Sequence, residues 1–245
     1  MSPLKIIFLL SLVIFSSNCS EESSFLDFLK KFAQNYIDND LLIMTIEIIR
    51  RRNKHKFPDN FEKNKAAFKN HEFAIKHNKG FIEDQHNYKD MSYGIQPLSK
   101  NGCGLIATYN VLYHLTKQEN IDFPSIIKYL ENDGIILRGL FGTSMKAVDD
   151  YFKKHGFRTW SSANKKDYNK IGSATDACIL TVYNSVDDIF QGIHFIAITK
   201  ENGKYYVHNN GSRYTGIAYT SITDVLNKIN SGKAKNIYLT GVYKK

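Results

Sequence analysis

The feature that most constrains this chain is a change of residue pattern between its N-terminal part and its last third. Up to about residue 156, apolar side chains recur three to four residues apart, which is typical of amphipathic helices. Two such helices are predicted at Phe123 to Asn132 and at Ser144 to His155, the second with an N-cap at Thr143 or Ser144. After residue 176, short runs rich in β-branched and aromatic residues indicate strands at 177–184, 192–200, 204–209 and 236–243.

The order of these elements predicts an α+β fold. Glu201 to Gly203 separates the second and third predicted strands and is typical of a tight hairpin, so these two strands are expected to be antiparallel. One more helix, at 222–229, precedes the last strand. Helices followed by an antiparallel sheet differ from the alternating pattern of a parallel α/β protein.

The first residues have the pattern of an export signal. A single Lys precedes an apolar run from Ile6 to Phe15, and small polar residues follow, so residues 1–19 are predicted to be a signal peptide of a secreted or cell-surface protein. The run is too short to span a bilayer, and an uncleaved interfacial anchor is the alternative. A lipid anchor on Cys19 ranks lower, because residues 16–18 lack the aliphatic and small residues that such a site prefers.

Residues 20–88 are interpreted as a helical extension, either a pro-segment or a partner-binding arm. Within it, residues 50–79 hold ten Lys/Arg against three Asp/Glu, a local net charge of +7 in a chain of net charge +9. Such a stretch suits an anionic membrane or cell-wall surface better than nucleic acid, and the alternative is an ordinary solvated helical face.

Cysteine usage argues against a disulfide framework and points to one thiol. The chain has only Cys19, Cys103 and Cys178, and Cys178 sits in an apolar strand that is expected to be core. No spacing of His, Cys, Asp or Glu is typical of a metal site, and no cofactor is predicted.

Cys103 is the candidate nucleophile. It opens a predicted helix in the sequence NGCGLIATYNVLYHL, and a helix N-terminus lowers a thiol pKa. Gly102 and Gly104 allow a sharp turn and the close approach of a substrate carbonyl. The alternative is a buried thiol that only fills the core.

His194 and Asn209 are the candidate partners of that thiol. His194 is a polar residue at the start of an otherwise apolar strand, and Asn209 ends the adjacent strand across the hairpin, where its side chain can orient the imidazole. His208 is the competing base and Asn210 the competing orienting residue. Alternatively, both asparagines only form the turn after the strand.

An attacked carbonyl also needs hydrogen-bond donors for its oxyanion. The backbone N–H of Cys103 is one candidate, and the side-chain amide of Gln96, seven residues earlier in a loop, is the other.

Taken together, Gln96, the NGCG turn with its helix, and the strands IHFIAI and YYVHN resemble papain-like cysteine peptidases, with the bacteriocin-processing leader peptidases as the nearest group. The resemblance covers Met91 to Tyr243. It implies a catalytic domain over residues 89–245, with a helical half that carries the nucleophile packed on an antiparallel sheet that carries the His and Asn. It also implies Gln96 in the oxyanion hole, Cys103 as nucleophile, His194 as general acid and base, and Asn209 as orienting residue.

The expected function is therefore an exported cysteine peptidase or amidase that hydrolyses a peptide or isopeptide bond of a peptide or protein substrate through a thioester. Acyl transfer or deamidation by the same residues is one alternative. A catalytically silent binding module with the same fold is the other.

Overall fold

The computed structural model describes residues 39–52, 56–183, 192–211 and 214–244. The predicted signal peptide at 1–19, with Cys19, and residues 20–38 of the predicted helical extension lie outside the described residues.

Three helices precede the region of the candidate nucleophile: α1 (Asn39–Arg52), α2 (Pro58–Phe68) and α3 (Glu72–His77). Helix α2 begins with a proline and has an acidic first turn, both of which favour a helix start. Helix α1 buries Leu42, Ile43 and Ile46 in the main hydrophobic core, so this part of the predicted extension packs on the rest of the molecule.

A short hairpin of β1 (Ser92–Tyr93) and β2 (Gln96–Pro97) leads into the central helices. These are α4 (Leu98–Asn101), α5 (Cys103–Thr116), α6 (Phe123–Asp133) and α7 (Met145–Lys154). Asp122 caps α6 by accepting from the Ser125 N–H, and Ser144 caps α7 by accepting from the Ala147 N–H. The helices predicted at Phe123 to Asn132 and at Ser144 to His155 are confirmed, with bounds that differ by no more than two residues.

The strands form a five-stranded antiparallel sheet in the order β3-β7-β4-β5-β6. The bounds are β3 (Thr159–Ser162), β4 (Ala177–Tyr183), β5 (Ile193–Glu201), β6 (Lys204–His208) and β7 (Lys235–Val242). The predicted hairpin is confirmed: Glu201 pairs with Lys204, and Asn202 and Gly203 both take positive φ angles, of 49° and 73°.

The sheet separates two hydrophobic layers. One face, with Ile179, Phe195 and Ala197, joins the core around α5, and Cys103 belongs to that layer. The other face, with Cys178 and Ile196, packs with side chains of α8 (Tyr168–Ala174) and α9 (Ile222–Lys228). The α+β architecture, with helices packed on an antiparallel sheet, is confirmed.

Strand β3 and helix α8 have no counterpart in the sequence prediction. Strand β3 carries the partly buried, mostly polar sequence TWSS and pairs only with β7 at one edge of the sheet. Short edge strands of this kind lack the alternating or continuous apolar pattern by which strands are recognised.

Within the described residues, no helix has the length and apolar character needed to cross a bilayer. In the basic stretch, the six lysines of the described part are exposed, whereas Arg50 lies 2.7 Å from a Glu47 oxygen and 3.3 Å from an Asp150 oxygen. Six lysines of this stretch therefore form a solvent-facing surface.

Candidate active site

The structure places Cys103 at the first residue of α5, with Gly102 between α4 and α5. Helix α5 packs closely against the segment before α7 at this point: a Cβ on Gly104 would lie 3.0 Å from Thr143 Cβ, and it would make an ordinary van der Waals contact with the Phe195 ring at 3.6 Å. A side chain larger than hydrogen at position 104 would therefore press on Thr143.

Two opposing effects act on the thiol of Cys103, whose residue is only 8% exposed. Burial raises its pKa above the usual value, while backbone hydrogen bonds from Phe195, Gly104 and Cys103 itself lower it. Burial is the larger effect, so the pKa of the thiol lies above its usual value. The amides are nevertheless placed where they would stabilise the sulfur once it loses its proton.

His194 is the second residue of β5 and pairs with Val182 of β4. Its Nε2 lies 2.9 Å from the backbone carbonyl oxygen of Asn209. A carbonyl can only accept, so Nε2 carries the hydrogen and Nδ1 is left as the proton acceptor. Burial lowers the pKa of His194, the contact with Asn209 opposes that shift, and nearby His86 adds to it.

Asn209 contacts the imidazole through its backbone carbonyl oxygen and not through its side chain. The backbone carbonyl of Asn209 accepts from His194, whereas its side chain was expected to do so. The side chain pairs instead with Gln85: Oδ1 accepts from the Gln85 N–H at 2.9 Å, and Nδ2 donates to Gln85 Oε1 at 3.2 Å. Asn209 has a left-handed backbone with a φ of 58°, which turns its carbonyl towards His194 after the strand has ended.

Cys103, His194 and Asn209 line one cavity of about 970 Å³. Gln96 is not among the side chains that line it; it lies on β2, paired with Tyr93. The described residues that complete the wall come mainly from the segment before β1, from α4 and from the loop after β6. They are Asn78, Glu83, Asp84, Gln85, His86, Ser99, Lys100, Ile193, Asn210, Gly211 and Thr215.

Gln85 is the functional candidate that the sequence argument missed. It begins a single turn of 3-10 helix, Gln85–Asn87, that Asp84 caps by accepting from the His86 N–H. Its Nε2 donates to the Ser99 carbonyl at 3.0 Å, so one of its two amide hydrogens has a partner there. Gln85 lies in the predicted extension, and nothing in its local sequence separates it from other loop glutamines.

Most of the side chains that line the cavity carry polar groups. Ile193 is the one aliphatic side chain among the described lining residues. The Nδ2 of Asn210 is buried without a hydrogen-bond partner among the described residues. An unpaired buried donor is costly, and a turn of this side chain towards the cavity would let it donate to a carbonyl group of a bound molecule.

His208, the competing base, has other partners. Its Nδ1 lies 2.6 Å from Glu83 Oε1, its Nε2 lies 3.0 Å from Thr199 Oγ1, and its ring stacks on Phe81 with 3.9 Å between centroids. Both ring nitrogens are engaged away from Cys103, and His208 is not among the residues that line the cavity.

Cys178 is confirmed as a core residue. It is 2% exposed, its sulfur lies 3.4 Å from Thr175 Oγ1, and burial raises its pKa to about 12. Among the residues that the structure describes, no group of three or more His, Cys, Asp or Glu side chains is arranged to hold a metal ion.

Comparisons with known proteins add little to this geometry. No model of a known protein family matches the chain, and no curated protein matches it. One solved structure resembles it: the peptidase domain of Streptococcus ComA, a bifunctional ABC transporter involved in a quorum-sensing pathway. The likeness has a TM-score of 0.42 at 13% identity and covers 63% of this chain and 100% of that domain. Such a score does not establish a shared fold, so the function proposed below rests on the geometry of the cavity.

Proposed function

We propose that this chain is a cysteine peptidase or amidase of papain-like type, which hydrolyses a peptide or isopeptide bond through a thioester on Cys103. One observation carries the proposal: Cys103 and His194 line the same cavity, and the Asn209 carbonyl holds the imidazole with its hydrogen on Nε2, which makes Nδ1 the proton acceptor. A thiol and an oriented imidazole in one cavity are the minimal parts of a nucleophile and base pair.

The reaction begins when Cys103 Sγ gives its proton to His194 Nδ1 and the sulfur attacks the substrate carbonyl carbon. The C–N bond then breaks, the amine leaves with the proton from Nδ1, and the acyl group remains on sulfur as a thioester. His194 next takes a proton from water while the water oxygen attacks the thioester carbon. The C–S bond breaks, the acid product leaves, and the Cys103 sulfur regains its proton from His194. The Asn209 carbonyl stabilises the imidazolium that forms in each half-reaction.

The oxyanion needs donors that are already in place. The backbone N–H of Cys103 at the start of α5 is the first. For the second, the cavity favours Gln85 over Gln96, because Gln85 lines it and keeps one Nε2 hydrogen beyond its bond to Ser99.

Export remains part of the proposal through residues 1–19, and contact with an anionic membrane or cell-wall surface through residues 50–79. The exposed lysines of α2, α3 and their flanks support the second point. N-terminal sequencing of the exported protein tests the first. Sedimentation with anionic vesicles tests the second, and loss of binding in high salt is expected if the contact is electrostatic.

The decisive experiment compares the two cysteines that the structure describes. Cys103→Ala is expected to abolish peptide hydrolysis and the alkylation detected by mass spectrometry on the 103 peptide. Cys178→Ala, on the other face of the sheet, is the matched control and should keep both. Alkylation of Cys103 that is equally fast in wild type and His194→Ala would refute the proposal and favour a silent binding module. Ammonia release from glutamine substrates without peptide cleavage would favour deamidation or acyl transfer.

A further inference from the structure

A short segment before the predicted catalytic domain is bound to the end of β6. This segment, residues 81–85, is named the strap here. Its Ile82 pairs with the buried Asn110 side chain of α5, with the N–H donating to Oδ1 at 2.8 Å and Nδ2 donating to the Ile82 carbonyl at 2.9 Å. Its Phe81 stacks on His208 of β6. The first two residues of the strap are thus fixed to the helix that begins with Cys103 and to the last residue of β6.

The strap occupies the hydrogen-bonding groups of Asn209 other than its carbonyl. Both side-chain atoms of Asn209 bond Gln85, and the Asn209 N–H donates to Glu83 Oε2 at 3.3 Å. The remaining group, the Asn209 carbonyl, accepts from His194. Asn209 therefore links the strap directly to the imidazole.

The sheet alone does not fix this carbonyl. The ladder between β5 and β6 ends where Ala197 pairs with His208, one residue before Asn209. Asn209 then takes a left-handed backbone, outside the sheet geometry. Among the described residues, Glu83 and Gln85 make the contacts that hold its N–H and its side chain.

Glu83 is itself anchored. Its Oε1 lies 2.6 Å from His208 Nδ1, and the other ring nitrogen of His208 lies 3.0 Å from Thr199 Oγ1 on β5. The carboxylate thus joins His208 and the Asn209 N–H, two consecutive residues at the point where the chain leaves the sheet. Loss of this carboxylate would release both.

We propose that Glu83 and Gln85 are positioning residues of the proposed hydrolase, which hold the Asn209 carbonyl against His194 Nε2. This inference rests on the proposed function. It also limits any removal of residues 20–88: an active mature form must keep the strap, so a processing cut has to fall before residue 81.

The test uses the full chain with Glu83→Gln and Gln85→Ala, singly and together, and with the exposed Glu62→Gln and Gln118→Ala as matched controls. The first readout is the titration of the His194 ring by NMR. The second is the pH dependence of Cys103 alkylation by iodoacetamide, read by mass spectrometry so that the other cysteines do not interfere.

In the double variant, the His194 titration is expected to move to lower pH, because the ring loses the carbonyl contact that favours its charged form. Cys103 alkylation at neutral pH should fall about three- to tenfold, the equivalent of one hydrogen bond. With a cleavable peptide, Glu83→Gln, which leaves the Gln85 amide in place, should lower kcat while KM stays near the wild-type value.

An unchanged His194 titration in the double variant overturns the proposal. A lower unfolding midpoint without any change in titration or in Cys103 reactivity also overturns it, because the strap would then only stabilise the fold. The NMR readout needs no turnover. It therefore decides the role of the strap separately from the proposed function, which fails on its own if wild-type Cys103 reacts no faster than Cys103 in His194→Ala.

Discussion

The hydrophobic layers on the two faces of the central sheet each contain one cysteine, and the two thiols differ in their polar surroundings. Cys103 and Cys178 are 8% and 2% exposed, and burial raises the pKa of both. Cys178 lies within a strand, with the Thr175 hydroxyl as its hydrogen-bond partner. Cys103 lies at a helix start beside backbone amides, with an imidazole in the same cavity. Burial therefore does not distinguish the two thiols. They differ because Cys103 lines a cavity and lies beside oriented polar groups.

The sharpest way to break this comparison is to remove the imidazole. His194→Ala should lower the rate of peptide hydrolysis by about three orders of magnitude, because the base that accepts the thiol proton is lost. Steady-state kinetics measures the effect, and Cys178→Ala serves as the control. If the rate of hydrolysis fell by less than about threefold, His194 would not be the cause of any difference in reactivity between Cys103 and Cys178.

The close packing beside Cys103 can be tested at Gly104. Gly104→Ala should destabilise the fold by about 1–3 kcal/mol, because the added Cβ meets Thr143 Cβ at 3.0 Å. Denaturant unfolding measures this change, and Cys103 alkylation should change with it because residue 104 follows the thiol directly. Gly211→Ala serves as a contrast, because its Cβ would meet nothing within 4 Å. Any loss of stability in that variant comes from the backbone φ of 83°. Unchanged stability and reactivity in Gly104→Ala would contradict the close approach.

The acid limb of the pH profile sharpens the comparison further. Burial lowers the pKa of His194 below its ordinary value of 6.5, so the neutral, proton-accepting form persists to lower pH than in an exposed histidine. The kcat/KM for hydrolysis, in which neutral His194 acts as the base, should therefore stay on its plateau as the pH falls through 6.5 and decline only below it. A midpoint above 6.5 would show a stabilised imidazolium instead.

The smallest effect is expected at the cavity wall. Asn210→Ala removes a buried amide nitrogen that has no partner among the described residues, so stability should change little or rise slightly. If Nδ2 donates to a substrate carbonyl, KM should rise about three- to tenfold with little change in kcat. An unchanged KM would remove Asn210 from substrate binding.

Much of the fold follows from local sequence. The helices that begin near Phe123 and Ser144, and the hairpin at Asn202, depend on caps, spacing and turn residues within a few positions of each other. Strand β3 escaped prediction because its partner on β7 is distant in sequence and its own pattern is polar. Helix α8, with the sequence YNKIGSA, escaped because its few apolar residues do not form a recognisable helical stripe.

By itself, the sequence determined a thiol at a helix start, a histidine opening an apolar strand and an asparagine ending the next one. These follow from neighbours along the chain, since helix starts and strand ends are set locally. Only the tertiary structure decided that the Asn209 carbonyl, rather than its side chain, meets His194, and that Gln85 rather than Gln96 lines the cavity. Those choices depend on where residues 81–85 dock, and docking is governed by contacts between residues more than a hundred positions apart.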